Sequence, residues 1–202
     1  AERRPQEPMH HVVLGELLIR DRAFEAAREA IEAGRIRAEA RLDAGHFDGS
    51  IALLMARLAE AERLLALERW DAAHDLVASL GTVTRLTAPY DAVFPPPDLL
   101  AASALGRAAI GKEDWSAAEQ HLLRAIAADP RKMVNLFLLS KVYRETGRTE
   151  EEARLRQRLL QSSGRMAEYF ELAKLFRLTG DSERADELLA QAVADIPSLQ
   201  QN

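Results

Sequence analysis

The stretch Glu113–Pro130, which reads EDWSAAEQHLLRAIAADP, carries three marks of a packed helix with a defined end. Trp115 opens the helical pattern, and the small residue Ala118 follows three positions later. Residues three apart share one helix face, so the bulky indole and the small side chain indicate close packing against a partner helix. Pro130 cannot continue a helix and therefore ends the segment.

The same frame recurs along the chain in five segments. Each segment has an alanine three or four residues after the start of its helical pattern, and these anchors are Ala27, Ala73, Ala118, Ala153 and Ala185. Successive anchors lie 46, 45, 35 and 32 residues apart, so the last three copies fall near a period of about 34 residues. Two insertions stretch the earlier copies, LDAGHFDGS at residues 42–50 and GTVTRLTAPYDAVFPPPD at residues 81–98. The second insertion is too rich in Thr and Pro to be a helix.

A second helical pattern precedes each anchor and also contains a small residue, with a bulky residue close by. These small residues are Gly15, Ala61, Gly106, Ser140 and Ala173. Small residues allow two helices to approach closely, so each copy is predicted to be a helical hairpin. Gly147 and Gly180 fall between paired helices as turn signals.

The composition favours an all-α protein. Hydrophobic residues make up 48% of the chain and aromatic residues 5%, and Ala and Leu dominate the apolar set. The absence of Cys excludes disulfides, thiolate nucleophiles and thiolate metal sites. The net charge of -5 argues against nucleic acid as a partner, and no apolar run approaches the roughly 20 residues of a transmembrane segment.

Several residues of the third copy together resemble the tetratricopeptide repeat family, namely Leu105, Gly106, Trp115, Ala118, Leu122, Ala125 and Pro130. The copy around Ala153 departs from that pattern, because it has one residue too many and no aromatic residue opens its second helix. The resemblance implies a right-handed all-α solenoid of about five helix-turn-helix hairpins. We expect a flexible tail at residues 1–7, two divergent hairpins with a Pro-rich loop at residues 8–97, and three hairpins at residues 98–202.

The first helix of each hairpin lines the concave groove of such a solenoid, and this face changes character along the chain. Towards the C-terminus it carries aromatic and basic side chains in phase, which predicts a partner-binding set of Arg107, Phe137, Lys141, Arg144, Phe170, Lys174 and Arg177. The resemblance implies a protein or peptide partner, and the cations favour an acidic or carboxylate-bearing one. The alternative is that neighbouring Glu side chains neutralise these cations and that Phe137 and Phe170 are core residues.

The N-terminal copies suggest a different ligand. An apolar trough under the Pro-rich loop would suit a lipid or sterol and would make the chain a carrier or transport protein, with a site formed by Val12, Ile19, Met55, Leu58, Leu65, Tyr90 and Phe94. The alternative is that these side chains are buried against neighbouring helices. A third hypothesis is self-assembly, because an uncapped terminal hairpin can dock on another copy, although the polar tail SLQQN is typical of a capped end.

No pattern in the chain is typical of catalysis. The His residues are scattered, and the sequence lacks a His-Glu-x-x-His motif, a Gly-rich phosphate loop and a G-x-S-x-G elbow. We therefore expect a non-enzymatic binding protein without a metal or cofactor. The sequence looks bacterial and fits either the periplasm or the cytoplasm, with the periplasm preferred.

Overall fold

A computed structural model describes residues 7–46, 48–82, 97–163 and 166–194 of the chain. In these ranges all regular secondary structure is helical, with ten α-helices and one short 3-10 helix at Ser79–Thr82. The first six residues of the predicted tail and most of the predicted Pro-rich loop, including Tyr90 and Phe94, lie outside the described residues, as does the SLQQN tail.

The α-helices pair in chain order into five hairpins, because each odd-numbered helix packs on the helix that follows it. Their bounds are α1 Pro8–Arg20, α2 Phe24–Asp43, α3 Asp48–Ala66, α4 Trp70–Ala78, α5 Pro97–Gly111, α6 Trp115–Ala128, α7 Met133–Glu145, α8 Thr149–Ser163, α9 Met166–Leu178 and α10 Ser182–Ala194. The prediction of an all-α helical repeat with about five hairpins is confirmed.

The chain forms two compact units, residues 1–129 and residues 130–202, which we call the N-terminal and C-terminal units. The N-terminal unit contains α1 to α6, and the C-terminal unit contains α7 to α10. The sequence-based division between residues 97 and 98 follows the Pro-rich insertion and stays a prediction.

Within the N-terminal unit, the first helices of the hairpins lie side by side, since α3 contacts both α1 and α5. The second helices form the other layer, in which α2 covers α3 and α4 covers α5. In the C-terminal unit α8 covers α9 in the same way. Within each unit, a second helix therefore packs against its own partner and against the first helix of the next hairpin of that unit.

The anchoring alanines occupy the tightest points of this packing. Ala27, Ala118 and Ala185 are fully buried, with relative exposures of 0%. Ala153, in the copy that departs from the repeat pattern, is only half-buried. Gly106 faces Leu122 so closely that an added Cβ would lie 2.7 Å from Leu122 Cγ. The small residues thus set the spacing between paired helices, as the sequence predicts.

Each hairpin turns at one residue in the left-handed backbone region. Glycine occupies this position in the last two hairpins, with φ of 70° at Gly147 and 83° at Gly180. Arg22, Glu68 and Glu113 occupy it in the first three, with φ of 60°, 57° and 58°. The turn geometry is common to all five copies, although only two of them have the residue that adopts it without strain.

Candidate functional site

The first helices of the C-terminal unit carry the predicted face of aromatic and basic residues. Arg144 on α7 and Glu171 on α9 form an ion pair, with 2.8 Å between Nη2 and Oε2. This contact bridges the two helices. The structure therefore places Arg144, one of the sequence-predicted residues of α7, in direct contact with α9.

A cavity of about 300 Å³ opens on the last described hairpin, and we call it the end groove. Its lining is mostly apolar with a cationic rim and consists of Phe170, Ala173, Lys174, Arg177, Leu178 and Leu189. Phe170 is 57% exposed and Leu178 is 70% exposed, which is unusual for such large apolar side chains. Phe137, at the matching position of α7, is half-buried.

Two of the predicted cations on this face are held by acids of the same unit. Arg144 donates to Glu152 at 2.7 Å as well as to Glu171, and Arg177 lies 3.0 Å from Asp186 on α10. The hydrogen bond to Glu152 is the largest of the effects that raise the pKa of Arg144. The charges of these two arginines are therefore neutralised by acids of the same chain.

Lys141 and Lys174 differ from the two arginines. Both are exposed, and neither forms an ion pair with any residue in the described ranges. An ammonium group without an internal partner stays available for a charge-assisted hydrogen bond to a ligand carboxylate. Lys174 lines the end groove, directly beside Phe170 in the helical frame.

Arg107 lies in the N-terminal unit, whereas the other predicted partner-binding residues belong to the C-terminal unit. It donates a hydrogen bond to Glu62 on α3. Burial, followed by the charge of Glu62, raises the pKa of Glu16 on α1. The first helices α1, α3 and α5 thus carry two neighbouring acids and one paired arginine.

The residues of the alternative apolar site lie in two separate core clusters. Ile19 and Met55 pack against a cluster that contains Val12, while Leu58 packs against another that contains Leu65. Val12 is 0% exposed and Leu65 is 2% exposed, so both are sealed inside the helix layers. Ile19, Met55 and Leu58 are only partly buried.

A larger cavity, of about 500 Å³, lies between α2, α3 and α4 in the N-terminal unit. Most of its charged lining is already paired within the chain. Arg35 lies 2.6 Å from Glu32 and 2.5 Å from Glu39, and Glu60 lies 2.7 Å from the buried Arg63. The end groove is smaller but has exposed apolar side chains and an unpaired ammonium group, and it is therefore the better candidate.

Two features of the C-terminal unit were not predicted from the sequence. One is the contribution of Leu178 and Leu189 to the end groove. Leu189 could have been predicted from the repeat pattern, because it follows its anchor Ala185 by four residues, as Leu122 follows Ala118. The other is a buried polar network in which Arg156 lies 3.0 Å from Glu168 and 3.5 Å from Glu152. Its only sequence signal is the polar, Glu-rich start of the divergent copy.

The described part of the chain has neither a metal-binding cluster nor a membrane-spanning helix. It contains no group of three or more His, Asp or Glu side chains placed to hold a metal ion. None of its helices has the length and apolar character needed to cross a membrane.

Neither a family model nor a curated protein sequence matches this chain, but several solved structures share its fold. The TPR-like repeats of a putative kinesin light chain from Podospora anserina align over 98% of this chain and 100% of theirs, with 19% identity and a TM-score of 0.67. MamA from Desulfovibrio magneticus RS-1 aligns over 98% of this chain and 97% of its own, with 14% identity and a TM-score of 0.58.

A third similar structure is YrrB, described as a TPR protein with an unusual peptide-binding site. It aligns over 95% of this chain and 87% of its own, with 14% identity and a TM-score of 0.57. At these identities the comparisons establish the fold and leave function to the site itself. The chain has the tetratricopeptide-repeat fold that its repeated residues predict.

Proposed function

We propose that this chain is a non-enzymatic binding protein that recognises an acidic or carboxylate-bearing peptide on the C-terminal unit. The observation that carries the proposal is the exposed ring of Phe170 beside the unpaired ammonium group of Lys174, in a cavity of about 300 Å³. An aromatic ring that remains 57% exposed leaves apolar surface that a ligand can cover.

The chemistry of the end groove favours a ligand with two adjoining parts. An aliphatic side chain of the peptide would fill the space between Phe170, Leu178 and Leu189. A carboxylate next to it would accept charge-assisted hydrogen bonds from Lys174. Lys141 on α7 offers a second ammonium group for another acidic residue of the same peptide.

The remaining predicted residues have supporting roles in this proposal. Arg144 and Arg177 are paired with acids, so they add little positive potential to the groove. Phe137 is half-buried and contributes mainly to packing. The peptide specificity is therefore assigned to Lys141, Phe170 and Lys174.

The fold supports peptide recognition as a class of function. The structure of YrrB is described as having a peptide-binding site on a tetratricopeptide-repeat scaffold. The chain as a whole carries a net charge of -5, so the unpaired lysines are a local departure from its overall charge.

A peptide-display selection against the full chain tests the proposal. We expect enrichment of peptides that combine Asp or Glu with a large aliphatic residue, and loss of that enrichment with the Lys141→Ala, Lys174→Ala double variant. Lys112→Ala is the matched control, because Lys112 lies in the N-terminal unit and pairs with Asp71 at 2.8 Å. Equal enrichment of acidic peptides by the wild type and the double variant would overturn the proposal.

A further inference from the structure

Helix α1 exposes an apolar patch that its repeat position does not explain. Val13 and Leu14 are each 47% exposed, and Leu17 is 48% exposed. Residues three and four apart share a helix face, so Leu14 and Val13 both adjoin Leu17 in one continuous patch. We call these three residues the α1 patch.

The same positions are buried in other first helices of the repeat. Leu17 corresponds to Ala108 on α5, which is 0% exposed, and to Leu175 on α9, which is 6% exposed. Leu14 corresponds to Leu172 on α9, which is 1% exposed. Helices α5 and α9 are covered by the second helices α4 and α8 of the preceding hairpins. The α1 patch is thus half of a hairpin-to-hairpin interface that has no cover in the described structure.

The end groove is the other half of the same kind of interface. Leu189 on α10 is only half-buried, whereas the residues at its repeat position, Ile31, Val77 and Leu122, are 4%, 3% and 0% exposed. Val193, one turn further along α10, is 53% exposed. In the described residues no first helix of a further hairpin occupies the groove between α9 and α10.

We propose that the α1 patch of a second copy of this chain docks in the end groove, so that copies associate head to tail. The proposal rests on the function proposed above, because it names one partner for the same groove. The two surfaces are matched in chemistry, since the patch supplies Val13, Leu14 and Leu17, and the groove supplies Phe170 and Leu178.

Charge also favours this occupant. Glu16 lies beside the α1 patch, one turn from Val13, is exposed, and forms no ion pair with another residue in the described ranges. Lys174 stands at the rim of the groove, likewise unpaired. A docked α1 would bring one carboxylate to this ammonium group, which satisfies the acidic preference of the groove.

The contact joins two different surfaces and is therefore heterologous. Each added copy leaves one patch and one groove free, so association continues unless the rotation between copies closes a ring. We expect the average mass to rise with protein concentration.

Sedimentation velocity on the full chain, over a wide concentration series, tests the inference. We expect the wild type to form oligomers, Leu17→Glu on α1 to abolish them, and Leu178→Glu in the groove to do the same. Ile36→Glu is the matched control, because Ile36 is 53% exposed on α2 outside the patch, and it should associate like the wild type. Oligomers of unchanged size with Leu17→Glu would overturn the inference.

Charge-reversal variants test whether Glu16 of one copy meets Lys174 of the next. Glu16→Lys alone and Lys174→Glu alone should each weaken association, because each places like charges across the contact. A mixture of the two variants should recover it, since every contact between unlike copies then joins opposite charges. Failure of the mixture to recover association would refute the assigned pair.

The two proposals fail in different ways. A wild-type protein that stays monomeric but enriches acidic peptides through Lys141 and Lys174 would overturn self-docking and leave peptide recognition intact. A protein that neither associates nor enriches acidic peptides would overturn both.

Discussion

The guanidinium of Arg156 on α8 lies 3.0 Å from the carboxylate of Glu168 on α9, with the two side chains only 10% and 3% exposed. Glu152, whose side chain is 2% exposed, lies on the other side of Arg156 and also accepts from Arg144. A buried charge that loses its partner cannot regain the hydration that it gave up on folding. This network therefore holds the divergent fourth hairpin against the fifth.

Glu168→Ala is expected to destabilise the protein by about 3 kcal/mol, because it removes the carboxylate that accepts a hydrogen bond from the buried Arg156 and leaves only Glu152, at 3.5 Å, to balance its charge. The partly exposed pair of Arg148 and Glu151, at 2.9 Å, is the control. Glu151→Ala should cost under about 1 kcal/mol. Urea unfolding curves of both variants check the difference, and equal losses of unfolding free energy would contradict it.

The left-handed turn residues predict opposite effects for two substitutions. Glu113→Gly should stabilise the protein by about 0.5–1 kcal/mol, since a non-glycine residue at φ 58° is strained. Gly180→Ala should destabilise it by about 1 kcal/mol, because it introduces that strain at φ 83°. Chemical denaturation measures both changes. A destabilised Glu113→Gly variant would show that its side chain contributes more than the turn strain removes.

The close helix contacts make two glycines intolerant of a methyl group. An added Cβ at Gly111 would lie 2.1 Å from Trp70 Cδ2, and one at Gly106 would lie 2.7 Å from Leu122 Cγ. Each glycine-to-alanine variant should lose about 1–3 kcal/mol through overpacking, despite the better helix propensity of Ala. Gly45→Ala tests turn strain alone, because an added Cβ there meets nothing within 4 Å and the φ is 79°. Thermal melts that show no loss for Gly106→Ala or Gly111→Ala would contradict the packing described here.

Stability should fall on mild acidification because of His121. Burial is the largest of the effects that lower the pKa of His121 below 6.5, followed by the charges of Arg124 and His74, while Asp114 opposes them. The folded state therefore favours neutral imidazole, and the unfolded chain takes up the proton first as the pH falls through 6.5. This contribution is present above pH 6.5 and is lost below it.

The variant His121→Gln isolates that effect. It should reduce the slope of unfolding free energy against pH between about pH 7.5 and about pH 5, because its side chain does not titrate. His46→Gln, in the loop between α2 and α3, is the control substitution. The measurement is urea unfolding across this pH range, and an unchanged slope with His121→Gln would refute the assignment.

The hairpins could be predicted from the sequence because their determinants are local. Anchors such as Ala118, small residues such as Gly106 and the turn at Gly180 act on neighbours within one or two helices. The five-copy frame therefore predicted the number of hairpins and the close contacts inside them.

The pairing of the cations could not be predicted, because it depends on which distant acid tertiary packing brings near. Arg107 meets Glu62, which lies 45 residues away in the sequence. Arg177 meets Asp186 on the next helix, whereas Lys174 has no partner in the described ranges, although both lie on the same face of α9. The sequence pattern alone does not distinguish the paired Arg177 from Lys174.

The exposure of the aromatic residues also depends on position in the array. Phe137 and Phe170 have the same place in the repeat frame, yet α7 is followed by a further described hairpin and α9 belongs to the last one. Phe170 therefore remains open where Phe137 is half-buried. The repeat pattern predicts both residues, but only the structure shows that Phe137 is half-buried while Phe170 stays exposed for a ligand.

The binding of an acidic peptide through the unpaired lysines is tested most directly by fluorescence anisotropy. The probe is a fluorescein-labelled peptide of alternating Glu and Leu with a free C-terminal carboxylate. We expect Lys141→Ala and Lys174→Ala each to weaken binding about tenfold, which corresponds to one charge-assisted hydrogen bond. Lys112→Ala should bind like the wild type. Equal affinity of the wild type and the Lys141→Ala, Lys174→Ala double variant would contradict the proposed function.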